Sequence, residues 1–155
     1  MKPIITYTPN PAIDVWAQCE KVILTEKTRI EHVRTDPGGG GINVSRVLIS
    51  LGVESLPIYL GGGATGILFE SMLDKKSIKG LCIPITGDTR ISEVVFETST
   101  NNEYRFVADG PVISAHEADN ALKALAQMRG DWLVASGSLP RGLPDRHYLD
   151  VAQIA

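Results

Sequence analysis

The sequence predicts an α/β fold, a largely parallel sheet covered by helices on both faces, with a separate small β-sheet lid. Three observations predict it. Short apolar runs recur between amphipathic stretches, two glycine-rich loops each lead into a helix, and a set of polar strands stands apart from the apolar ones. With 155 residues, 43% of them hydrophobic, the chain has the size and composition of one packed domain.

Residues 4–8 are β-branched or aromatic and stop at Pro9-Asn10-Pro11, which reads as a buried strand closed by a turn. Residues 16–33 mix β-branched side chains with Gln, Glu, Lys, Thr and Arg, as short half-exposed strands do. After the glycine run, Val44, Val47, Leu48 and Leu51 fall at i, i+3, i+4 and i+7. That spacing predicts a helix with this stripe toward the core, stopped by Gly52. Residues 56–60 form the next strand and lead through Gly61 to Gly66 into a helix ending near Leu73. Residues 91–98 and 103–108 flank Ser99-Thr100-Asn101-Asn102, whose residue types suit a tight hairpin. Ser114 and Glu117 have the spacing of a capping box, ahead of a helix whose face is Ala118, Ala121, Leu122, Leu125 and Met128 and which ends at Gly130. Residues 132–136 are a further strand, and residues 151–155 belong to a last helix. Helices between short apolar strands imply right-handed βαβ units. The polar strands, about residues 12–33 and 89–108, are assigned to the lid.

Composition narrows the function. No apolar run is long enough for a membrane span or a signal segment, which predicts a cytoplasmic protein without membrane contact. Cys19 and Cys82 form no C-x-x-C, and His32, His116 and His147 lack ligand spacing, so reduced thiols and no protein-held metal are expected. Fifteen Lys and Arg against 18 Asp and Glu give a net charge of -3 with no basic block, which argues against nucleic acid and for a small molecule.

The four glycines Gly38 to Gly41 precede a helix, whose first backbone N–H groups point outward with partial positive charge. A loop without side chains lets an anion or a sugar oxygen approach them, and Asn43 adds a polar side chain beside the opening. A tight turn alone would need only one or two glycines. The nucleotide pattern G-x-x-x-x-G-K-[ST] is not met. Gly61-x-Gly63-x-x-Gly66 does fit the dinucleotide fingerprint, which leaves an NAD-dependent dehydrogenase open, but the acidic residue expected downstream is met only loosely by Asp88. Ser136-Gly137-Ser138-Leu139-Pro140 fails as a nucleophile elbow, because Ser136 and Pro140 stand where glycines are required. Ser138 is left as a ligand contact at the carboxyl end of a strand or as a turn residue.

Taken together, Asn10-Pro11-Ala12-Ile13-Asp14, Pro37 to Arg46, Gly61 to Gly66, Thr89-Arg90, Glu103-Tyr104-Arg105-Phe106 and Ser136 to Pro140 resemble the ribokinase-like (PfkB) carbohydrate kinases. The resemblance covers nearly the whole chain and is closest to the minor 6-phosphofructokinase type. It implies a ribokinase-like three-layer α/β/α sandwich with a small β-sheet lid, incomplete in this chain. It implies an ATP-dependent kinase that converts fructose 6-phosphate to fructose 1,6-bisphosphate. Asp14 then accepts hydrogen bonds from adjacent sugar hydroxyls, and Gly38, Gly39, Gly40 and Asn43 line the sugar. Lys27, Arg90 and Arg105 face the phosphate end or the lid, where Arg engages phosphate bidentately, and Ser92 and Ser138 are further substrate contacts. Strand alternation puts Arg90 and Ser92 on one face and sets Tyr104 and Phe106 opposite Arg105.

By the same resemblance the lid strands pair with a second subunit, and an apolar lid face including Val94, Phe96, Tyr104 or Phe106 needs cover. Family members are about twice this length. Their G-A-G-D motif, with the catalytic base and an anion hole, has no counterpart in these 155 residues. No catalytic residue is therefore expected here, ATP and Mg²⁺ are expected to bind mainly through a C-terminal half, and the isolated chain is expected to be inactive. Tagatose 6-phosphate and fructose 1-phosphate remain alternative substrates, and a non-catalytic sugar-phosphate-binding fragment is the alternative of another class.

Overall fold

The computed structural model describes residues 2–154. In chain order the elements are β1 (Ile4–Thr8), β2 (Ala12–Cys19), β3 (Glu31–Gly38), α1 (Gly40–Ser50), β4 (Ser55–Gly61) and α2 (Gly63–Lys75). They continue as β5 (Leu81–Pro84), β6 (Arg90–Glu97), β7 (Asn102–Val107), α3 (Ala115–Gln127), β8 (Trp132–Ala135) and α4 (His147–Ile154). Ala155, assigned from sequence to the last helix, lies outside the described residues.

One sheet has the order β5-β4-β1-β8 with every neighbour parallel. Alternation along β1 sorts its side chains. Ile5 and Tyr7 join a core with Ile58, Leu60, Ala121, Leu125 and Val151, on the side of α3 and α4. Thr6 and Thr8 face α1, where Thr6 shares a 2.8 Å hydrogen bond with Ser45 and Thr8 Oγ1 accepts the Ile42 N–H at 3.0 Å. A second core gathers Ile42, Tyr59, Phe69, Met72 and Leu73 with Ile13 of β2. The helices thus form two layers around the sheet, as predicted.

The stripe expected on α1 is not its buried face. Gly41, Ile42 and Ser45 are buried, while Val47 and Leu51 are 58% and 72% exposed. Gly41 causes the rotation. A Cβ there would lie 2.7 Å from Thr8 Oγ1 and 2.8 Å from Tyr7 O, so bare backbone lets the first turn press on β1 and brings Ser45, one turn later, against the sheet. β5 has no counterpart in the sequence reading. It is four residues long, and its Pro84 is tolerated because the strand is an edge.

Two polar anchors hold the α3 and α4 layer. Ser114 and Glu117 form the predicted capping box, and Glu117 also accepts the Thr86 N–H at 2.6 Å, so donors converging on its carboxylate hold the pKa down to about 2. His147 is 1% exposed, and its Nε2 lies 2.9 Å from the Tyr7 hydroxyl. Burial lowers the imidazole pKa and raises that of the phenol, so Tyr7 donates to a neutral His147. The unfolded chain then takes up a proton near pH 6.5 that the folded chain refuses. Stability is accordingly full above pH 6.5 and falls below it by up to about 1.4 kcal/mol per pH unit, until the lowered folded pKa is reached. Urea unfolding at pH 7.5 and 5.5 checks this, and His147→Gln, which keeps an acceptor but does not titrate, is expected to remove that part of the slope.

Candidate functional site

The second sheet is the lid, in the order β3-β2-β6-β7. β2 and β6 are parallel, and each carries an antiparallel partner outside it. The half-exposed stretch read as strands over residues 16–33 is resolved differently: β2 starts at Ala12, residues 20–30 are a loop, and β3 runs on into the glycines. Residues paired directly across strands share a face, so the register lays that face out. One row holds Gly38, Ala12 and Arg90. The next holds Asp36, Asp14, Ser92 and Val107, and the third Arg34, Trp16, Val94 and Arg105.

Asp14, Arg90, Ser92 and Arg105 therefore lie on one face, and Tyr104 and Phe106 on the other. Val94 and Phe96 share the Asp14 face, so the four apolar residues expected on one surface are divided between two. Ile13, Ala17, Cys19 and Val95 are buried on the reverse side. There the Glu97 carboxylate takes the Val22 N–H at 2.7 Å and the Tyr104 hydroxyl at 3.1 Å, which closes residues 20–30 over the outer end.

The glycine run is where the lid, α1 and the end of β8 meet. A Cβ on Gly38 would overlap the Asp14 carboxylate, so the aspartate rests directly on bare backbone. Gly39 turns the chain from β3 into α1 with φ +115° and ψ 149°, a conformation essentially reserved for glycine. At Gly40 a Cβ would run into Ser136 Oγ and come within 2.8 Å of Gly137 N. Asn43 is exposed in the first turn of α1, and its Oδ1 accepts from Arg46 at 3.2 Å. Arg46 reaches on to Pro37 O at 3.2 Å and Asp36 at 3.3 Å. Asp14, Gly38 to Gly40, Asn43 and the Ser136–Ser138 loop are thereby gathered around one junction.

Two carboxylates stand side by side across β2 and β3, and they differ. Asp36 is neutralised by Lys76 at 2.8 Å and by Arg46, and the Lys76 hydrogen bond leads the causes that lower its pKa. Asp14 makes no ion pair among the described residues. Burial raises its pKa, while the nearby charges of Arg90 and Arg46 pull it back. Its oxygens are free to accept from a ligand.

The basic candidates separate. Arg90 donates to Ala108 O at 2.9 Å and Asn10 O at 3.3 Å, so it ties two chain crossings between lid and core as well as facing Asp14. Arg105 is exposed and paired with Glu103 at 2.9 Å, a contact it would have to exchange for a phosphate. Lys27 lies in the loop over residues 20–30, beyond the outer ends of β2 and β3. Ser138 follows β8, and its Oγ lies 3.1 Å from Asn10 Nδ2.

The second glycine loop is filled by its own chain. Gly62 N donates to Thr89 Oγ1 at 3.2 Å, a Cβ on Gly62 would meet Ile85 O, and the Asp88 carboxylate rests against Gly63. The N-terminus of α2 therefore has no room for a nucleotide phosphate, and the fingerprint reflects packing. Among the described residues no three His, Cys, Asp or Glu side chains converge.

A carboxylate without an ion pair lies over glycine backbone, on the small β-sheet and next to the carboxyl ends of the parallel strands β1 and β8, in an α/β fold of the kind that binds small ligands at such crevices. The pfkB family carbohydrate kinase pattern matches residues 8–155, and the chain belongs to that family. It is 42% identical over 153 residues to the ATP-dependent 6-phosphofructokinase isozyme 2 of Mycobacterium tuberculosis, covering 97% of this chain and 45% of that protein. It is 33% identical to the D-tagatose-1-phosphate kinase of Bacillus licheniformis, covering 98% and 49%. The crystal structure of phosphofructokinase-2 from Escherichia coli in complex with fructose-6-phosphate superposes with a TM-score of 0.91 at 28% identity, covering 99% of this chain and 51% of that one. The fold is the ribokinase-like one, and the chain spans about half the length of the relatives it matches.

Sequence reasoning passed over Asn10 and Arg46. Asn10 was visible as a motif residue but read as a turn, and Arg46 lay inside the quoted run without a role, because its bonds run to residues on another strand.

Proposed function

We infer that the chain carries the substrate-binding part of an ATP-dependent sugar-phosphate kinase that acts in the cytoplasm on fructose 6-phosphate, forming fructose 1,6-bisphosphate. The observation that carries this reading is the difference between Asp14 and Asp36: of two adjacent carboxylates, only the one over Gly38 is left without a cation partner. A carboxylate accepts from two neighbouring hydroxyls at once, as a polyol requires. The glycine wall lets the sugar lie close, Asn43 and Ser138 add polar contacts, and Arg90, Arg105 and Ser92 flank the phosphate end. Lys27, on the loop beyond the outer ends of β2 and β3, is a further cation for the phosphate end or the lid. ATP and Mg²⁺ belong to the complete enzyme, with the base that would take the hydroxyl proton supplied by residues other than these.

Calorimetric titration of the chain with fructose 6-phosphate, tagatose 6-phosphate, fructose 1-phosphate, fructose and NAD tests the reading. Binding of fructose 6-phosphate ahead of fructose, with no heat from NAD, is expected. Equal binding of fructose would remove the phosphate assignment, and a preference for either other sugar phosphate would select that substrate. Robust ATP-dependent phosphorylation by these 155 residues alone would contradict the division of labour.

The reading includes a homodimer through the lid. Trp16, Val94 and Phe96 lie on the Asp14 face beyond the polar rows and are only partly covered. A second copy of the same face supplies the missing layer. Val94→Asp is expected to shift the chain from dimer to monomer in sedimentation velocity, and an unchanged dimer would place the interface elsewhere.

A further inference from the structure

We propose that Asn10 is a positioning residue that turns the Ser138 hydroxyl into a hydrogen-bond donor toward the sugar phosphate. The proposal rests on the sugar-site reading above and adds a group that acts through it. Asn10 is 3% exposed in the turn between β1 and β2, where the chain first crosses from core to lid. Its Nδ2 lies 3.0 Å from Asp109 O and 3.1 Å from Ser138 Oγ. A backbone carbonyl can only accept, so the NH₂ end of the amide must face Asp109, and the flip state is fixed by that contact. An amide nitrogen cannot accept, so Ser138 Oγ must take its second proton. With a lone pair engaged in this way, the single Ser138 proton is left to be donated, from an exposed side chain next to the glycine wall. Phosphate and hydroxyl oxygens are its natural acceptors.

The surroundings hold this amide in place. Gly110, at φ +93°, lies so near Asn10 that a Cβ on it would overlap Asn10 Oδ1. Oδ1 itself has no partner among the described residues. A buried acceptor left unpaired is costly, so an amide kept for stability alone would be a poor choice at this position, whereas one kept for its two donors is explained. Arg90 bonds to Asn10 O and Ala108 O, which ties the same two crossings a second time. Tyr148 donates to Gly137 O at 2.7 Å and fixes the backbone ahead of Ser138.

An aspartate at position 10 would reverse the polarity. Its carboxylate would be repelled by Asp109 O and would capture the Ser138 proton. The test is the fructose 6-phosphate Kd and the melting temperature of the chain with Asn10→Ala, Asn10→Asp, Gly110→Ala and Ser138→Ala, alone and combined. Asn10→Ala is expected to weaken binding about tenfold, and Asn10→Asp about tenfold more. In the Ser138→Ala background the two Asn10 variants should become equal, because no proton remains to capture. Gly110→Ala should reproduce the Asn10→Ala defect, whereas Gly52→Ala, also at positive φ but with nothing within 4 Å of the new methyl, should lower only the melting temperature. Asn10→Asp binding as well as Asn10→Ala, or Asn10 variants that melt earlier with unchanged Kd, would overturn the proposal while leaving the sugar site standing. A wild-type chain that binds none of the sugar phosphates would overturn both.

Discussion

Asp14→Asn is expected to weaken fructose 6-phosphate binding about a hundredfold without lowering the melting temperature. Asn matches the shape of Asp but keeps only one of its two acceptor oxygens, so the charge and one accepting site are lost. A charge-assisted hydrogen bond contributes about 1.5–3 kcal/mol against about 1 kcal/mol for a neutral one, and two such bonds make a difference of about 1–4 kcal/mol, centred near 2.5 kcal/mol. At 1.4 kcal/mol per factor of ten, that corresponds to about a hundredfold in Kd. The stability expectation has the opposite sign because burial raises the Asp14 pKa: the folded chain holds the charge less readily than the unfolded one. Affinity in the wild type should also fall as pH drops through a midpoint above the ordinary 3.8, since the ionised form does the accepting, and the variant should lose that dependence. Calorimetry across pH with a parallel melt reads both effects. A variant that binds like wild type would place the sugar elsewhere.

What the sequence made legible follows from where the information lies. The buried strand β1 and the face of α3 are written in local periodicity, and Ser114 and Glu117 announce their own cap. The α1 face was misread because its packing is set by Gly41 meeting Tyr7 and Thr8, a contact between distant residues that no apolar stripe encodes. The same holds for the glycine run. Its glycines read as bare backbone for a ligand, and Gly38, Gly40 and Gly41 also seat Asp14, Ser136 and Thr8, packing contacts that no local pattern encodes. Asp88 was weighed as a distant cofactor contact and instead fills the start of α2. Asp14 was singled out by the family resemblance and not by local pattern, since the ion pair that distinguishes Asp36 comes from Lys76, at the end of α2.

Gly39→Ala should destabilise the chain by about 3 kcal/mol and weaken sugar binding at least tenfold. Two costs combine. The backbone at φ +115° and ψ 149° is disallowed for a residue with a Cβ, which costs about 1–3 kcal/mol. The new methyl would also lie 2.6 Å from Thr8 Cγ2 and 3.2 Å from Pro11 Cα, and a Cα cannot retract as a side-chain tip can. Relief therefore has to come from moving either Pro11, which leads into the Asp14 strand, or the start of α1, whose Ile42 N–H is held by Thr8. Either movement separates Asp14 from Asn43, which is why stability and affinity should fall together. For a domain of this size the loss corresponds to a melting temperature lower by roughly 10 °C. Gly52→Ala supplies the contrast, with about 1 kcal/mol for the left-handed conformation and no change in Kd. If the two variants melted together, the strained turn at Gly39 would not be the joint on which the lid and the sugar wall depend.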